Sequence, residues 1–145
     1  MKQQCKIQLK HLMLFLSLLL TINVSAEELR YLQTGYIDKY GERHEASSYQ
    51  ASMVITVDFR GSYAINHTTQ LSMKYRFHHN DGENSVYYMI NTNPNTGEEM
   101  WLKSRIMVVS PSRNLINMHD YFQGQRSYTI IYEQQDADSY GAMSR

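Results

Sequence analysis

The chain is expected to fold as an all-β domain, a small antiparallel up-and-down barrel of about eight strands, with a two-sheet β-sandwich as the alternative. Three observations lead there. Apolar residues alternate with polar ones at period two over several stretches, which places successive side chains on opposite faces of a strand. Turn signals recur at short, regular intervals between those stretches. Apolar recurrence at three and four residues, the mark of a helix, is missing from the same stretches. Neighbouring strands tend to pair, which favours a meander, and closing the meander removes its exposed edges.

Residues 1–26 read as an export signal rather than part of the fold. Lys2, Lys6 and Lys10 give a positive start, residues 12–22 an apolar core, and Val24-Ser25-Ala26 a cleavage site with small residues. The apolar core is too short to span a bilayer. The whole chain balances 14 Lys+Arg against 14 Asp+Glu. Removing the signal takes three lysines with it and leaves a mildly acidic product. A nucleic-acid-binding protein would carry a basic excess, so that class is set aside. The one cysteine, Cys5, falls inside the signal. The processed chain would then have no thiol, which suits an oxidising compartment, the periplasm if the source is bacterial. It would also have no second apolar stretch of membrane-spanning length.

The strands follow in order within a single domain, residues 27–133. Residues 31–37 open it and a turn at Asp38-Lys39-Tyr40-Gly41 ends them. Residues 49–59 alternate most clearly, with Tyr49, Ala51, Met53, Ile55, Val57 and Phe59 on one face. Gly61 joins them to 62–66. In 71–77, Leu71, Met73, Tyr75 and Phe77 share a face opposite Ser72, Lys74 and Arg76. Asp81-Gly82 is a hairpin turn, because glycine takes positive φ at little cost. Residues 86–90 and 100–109 flank a polar loop at 91–97, and 115–121 and 126–133 form the last hairpin around Gly124. Residues 134–145 are polar and aperiodic and read as a flexible tail.

The domain is rich in tyrosine and methionine and poor in leucine. Such residues can fill a core, or they can line a pocket, since ligand cavities are mostly apolar with a few placed hydroxyls and charges. The pocket reading draws on Tyr75, Tyr88, Tyr128, Tyr132, Met53 and Met73 as inward-facing ligand contacts. Arg126 and Tyr128, an Arg-x-Tyr pair, resemble the carboxylate clamp of fatty-acid-binding proteins. That resemblance implies an anionic head group held by a guanidinium and a phenol. The alternative puts Arg126 at the solvent edge with the tyrosines in the core. The strand pattern as a whole resembles the lipocalin-like, or calycin, class of small secreted barrels. The resemblance covers the architecture and no signature motif.

On 100–109 the set Met100, Leu102, Ser104, Ile106 and Val108 is expected to face the core. That leaves Trp101, Lys103 and Arg105 on an outward face able to dock a protein partner. His78-His79 and His119-Asp120 raise the question of a metal. Consecutive strand residues point apart, however, so a solvated pair is expected and no metal or other cofactor is assigned. His44-Glu45 and Glu98-Glu99 are adjacent in sequence and so face apart, and no nucleophile turn is present, so no catalytic residues are assigned. Asn66-His67-Thr68 is a glycosylation triplet in a eukaryotic setting. The expected function is therefore a secreted, non-enzymatic binding protein for a small amphipathic molecule. A protein-binding module (inhibitor, immunity factor or surface-assembly subunit) is the alternative, and a periplasmic metal carrier the third possibility.

Overall fold

A computed structural model describes residues 26–136. The expected export signal, apart from its last residue, and the expected tail beyond residue 136 lie outside that range. Nine strands account for most of the described chain: β1 Glu27–Ile37, β2 Arg43–Glu45, β3 Val54–Arg60, β4 Tyr63–His67, β5 Ser72–Asp81, β6 Asn84–Thr92, β7 Glu99–Val109, β8 Leu115–Phe122 and β9 Gln125–Gln134. A single helical turn, α1 Ser48–Ala51, precedes β3. Strands β3 to β9 pair in sequence order, all antiparallel, and β9 returns to β1. The result is a closed eight-stranded up-and-down barrel, and the short β2 adds a ninth strand outside the closed ring.

Strand β1 has three neighbours. One edge pairs with β9 along Tyr31–Ile37. The other pairs with β3 through Leu32 and then with β2 from Gly35 to Ile37. Gly35 is needed at that junction for space: a Cβ there would lie 2.6 Å from the His44 carbonyl oxygen.

The interior follows the alternation. Leu29 and Tyr31 of β1 face Val57 and Ile55 of β3, and Phe59 faces Ala64, which faces Tyr75. Across β6 to β9, Tyr87 meets Met107, Met107 meets Met118, and Val109 meets Ile116 and then Tyr132. Tyr31, Val57, Ala64, Tyr75, Met107 and Ile116 are fully buried. Burying each large apolar side chain contributes about 1.5–3 kcal/mol, so this row is the main support of the barrel. One end is closed by the β7–β8 turn. The Arg113 guanidinium lies 4.5 Å from the Phe59 ring centre, pairs with Glu27, and the Arg113 carbonyl accepts the Tyr31 hydroxyl at 2.7 Å.

Two local expectations need correction. Residues 49–53 are not strand. The Ser47 hydroxyl accepts a hydrogen bond from the Gln50 amide and the Gln50 side-chain oxygen accepts one from the Ser47 amide, a capping box that starts α1 and delays β3 until Val54. On β7, the core side at the far end is Met107 and Val109, not Ile106 and Val108. The pairing with β6 explains it: Tyr88 faces Ile106 while the next residue, Met89, faces Leu102. Three extra β7 residues, an odd number, reverse which side chains point inward. Leu102 thus lies on the core side with Met89, and beyond the bulge Arg105 lies there with Met107.

Candidate functional site

The bulge in β7 turns Arg105 into the barrel. Its cross-strand partner is Asp120 of β8, on the face of Met118 and Ile116. The guanidinium grips that carboxylate with Nε to Oδ1 and with Nη2 to Oδ2 at 2.8 Å. This two-pronged geometry matches a planar guanidinium to a planar carboxylate. Tyrosines from two other strands converge on the pair. Tyr75 of β5 is wholly buried, and burial pushes its pKa up to about 12 against the opposing pull of Arg105. Tyr132 of β9 is raised for the same reason, again opposed by Arg105. Both therefore remain neutral hydroxyl donors at ordinary pH. Tyr75 Oη makes no hydrogen bond of ordinary geometry, although the guanidinium is near enough to lower its pKa. A buried, unsatisfied hydroxyl costs free energy unless something completes it.

Beside this cluster runs a ladder of rings. Tyr128, the cross-strand partner of Asp120, stacks on Tyr36 with centroids 5.1 Å apart. Tyr36 stacks in turn on His44 at 4.8 Å. His44 is anchored to Asp38 at 2.9 Å, and that hydrogen bond, with two more from the Tyr40 and Glu42 amides, holds the Asp38 carboxyl below its ordinary range. Asp38, Glu42 and His44 could contribute three ligand atoms within 4.8 Å of one another. The Asp38 oxygens are already engaged in shaping the β1–β2 turn.

A recess lies where the β5–β6 ladder ends. The β5–β6 ladder runs only as far as Tyr75 opposite Met89. Beyond it the strands part, leaving a recess of about 410 Å³ lined by Met73, Lys74, Met89, Asn91 and Leu102 among others. Its size falls in the range of small-molecule pockets, roughly 300–1,000 Å³. Glu99 of β7 reaches past β6 to β5, pairing with Arg76 and, at 3.5 Å, with Lys74. These two cations hold the Glu99 carboxyl below its ordinary range.

The residues expected as ligand contacts divide between these places. Tyr75 and Tyr132 meet at Arg105, Tyr128 lies next to Asp120, and Met73 lines the recess. Tyr88 is on the outer face, because it pairs with Arg76 and Ile106 and stacks on His78. Met53 is 40% exposed and lies just before β3 begins, since α1 takes up the preceding residues. Arg126 is exposed at the start of β9, so it does not join Tyr128 in an enclosed clamp. The expected docking face also divides: Trp101 is exposed on the outside and Lys103 lies exposed in the β7 bulge, while Arg105 is inside. Sequence reasoning missed Arg105, Asp120, Met89 and Tyr36 as interior groups. The one available signal was Arg105-x-Met107-x-Val109, an alternation as good as the one preferred.

Among the described residues, no helix is long and apolar enough to cross a membrane. No family model, curated protein or solved structure matches the chain.

Proposed function

We propose that this chain is an exported, non-enzymatic binding protein for a small amphipathic molecule. The polar end of that ligand meets Arg105, Tyr75 and Tyr132, and its apolar part lies in the recess along Met73, Met89 and Leu102. The observation that carries the reading is a guanidinium beside a buried tyrosine hydroxyl in the barrel interior, together with a recess lined in part by Met73, Met89 and Leu102 where the β5–β6 ladder ends. Arg105 already has Asp120, so a ligand carboxylate would share the cation, while a neutral hydroxyl or carbonyl would need only Tyr75. Export is supported by the signal-like pattern of residues 1–26.

The test uses the apolar anion 1-anilinonaphthalene-8-sulfonate as a fluorescent probe. The folded protein should bind it saturably, and Met73→Trp, which fills the recess, should weaken binding by about tenfold or more. Tyr75→Phe should weaken it less, because only one hydrogen bond is lost. Binding that is absent, or indifferent to both substitutions, rules the reading out.

A further inference from the structure

The hairpin of β5 and β6 carries a second site on its outer surface. Along this pair Phe77 faces Tyr87, yet the next cross-strand partner of Val86 is His79, so His78 is the additional residue of a β-bulge. A bulge cancels strict alternation at that point. His78 and His79 consequently turn to the same side, with their Nδ1 atoms 2.7 Å apart and their rings edge to face at 83°. This reverses the expectation that consecutive histidines on a strand face apart. Both side chains are exposed. The His78 ring is nonetheless held in place: it stacks on Tyr88 at 4.3 Å, with the planes 6° from parallel, and meets the edge of Trp101 at 5.4 Å.

We propose that His78 and His79 chelate a divalent transition-metal ion through their two Nδ1 atoms, with a preference for Cu(II). Two imidazole nitrogens bound at roughly 2.0–2.1 Å to one ion stand roughly 2.9 Å apart at a right angle and roughly 3.3 Å apart at a tetrahedral one. The observed separation is nearer the first value, and a small rotation of the exposed His79 ring against the fixed His78 widens it by the remaining few tenths of an ångström. A right angle belongs to the tetragonal geometry of Cu(II), whereas Zn(II) favours the tetrahedron. Copper also binds nitrogen ligands more tightly than the other divalent ions of its row. Exposure leaves the remaining coordination positions to water. The metal takes the place of the proton that the two nitrogens otherwise share, so acid displaces it.

The sequence supplies its own reporter, because Trp101 is the single tryptophan and lies against His78. Titrating the purified protein with Cu(II) should quench tryptophan fluorescence at one equivalent and give an electron paramagnetic resonance spectrum coupled to two nitrogens. His78→Ala and His79→Ala should each weaken binding by about tenfold or more, on the scale of losing a metal-site contact. His44→Ala, which alters the Asp38–Glu42–His44 group, should leave the titration unchanged. Zn(II) should compete only at higher concentration. Quenching that survives both single substitutions, a spectrum without nitrogen coupling, or loss of binding in His44→Ala would overturn the site. Equal affinity for Zn(II) would overturn the preference for copper.

Discussion

Removing Asp120 tests whether the interior ion pair serves stability or binding. In Asp120→Ala the Arg105 guanidinium loses both of its hydrogen bonds to the carboxylate. A hydrogen bond to a charged group contributes about 1.5–3 kcal/mol. The Arg105 and Asp120 side chains retain 31% and 25% of their solvent exposure, so water recovers part of the loss. A destabilisation of about 3 kcal/mol results, equivalent to about 12 °C in Tm for a domain near this size. The double replacement Arg105→Met with Asp120→Leu removes both charges and leaves neither unpaired. Buried ion pairs replaced by apolar groups of similar size often lose nothing in stability. The double variant should therefore unfold in urea within about 1 kcal/mol of the parent, while its affinity for the anilinonaphthalene probe falls sharply. That combination would mark the pair as retained for recognition. If the double variant is as unstable as Asp120→Ala, the pair is structural and the argument for a polar site in the interior fails.

Three further outcomes follow from the packing. Met107→Ala, at a fully buried position between Tyr87 and Met118, should cost about 2–5 kcal/mol in urea unfolding without altering copper binding on the opposite, outer face of the neighbouring hairpin. Gly35→Val forces its Cβ against the His44 carbonyl, so β2 should detach from β1 and limited proteolysis should begin between residues 38 and 53. The alkaline limb of stability is set by the buried phenols. Burial raises the folded-state pKa of Tyr75 from 10.0 to about 12, so the unfolded chain sheds that proton first and stability falls as pH rises through this interval. Tyr75 alone accounts for about 3 kcal/mol at about 1.4 kcal/mol per pH unit. Tyr31, Tyr87 and Tyr132 shift in the same direction. Tyr75→Phe should flatten this limb, as measured by Tm between pH 9 and 12.

The barrel was legible because period two survives wherever a ladder is regular. Residues 55, 57 and 59, and 73 and 75, point inward as the alternation requires, and Tyr75, Tyr132 and Met73 were identified as inward-facing for that reason. What the pattern could not show was where the ladders skip. The bulge at His78 put two histidines on one side, and the three-residue slip between Tyr88 and Met89 turned Arg105 inward and left Tyr88 outside. Both are properties of two strands paired together, and neither strand carries them alone. The capping box at Ser47 and Gln50 is different. Its two residues stand at the required spacing, and the alternation of 49–59 simply obscured them.

Strand β1 pairs with β2 and β3, which follow it closely, and with β9 at the far end of the described residues, and this decides when the molecule can finish assembling. Among the described residues its partner β9 is the last strand made, so the seam between them joins the two ends of the described barrel. Until Gln134 is available, the growing sheet is a curved ribbon with two raw margins, and a polypeptide in that condition readily adds foreign strands. A shielding factor that accompanies the nascent chain would therefore be of most value just before the ten residues of β9 dock.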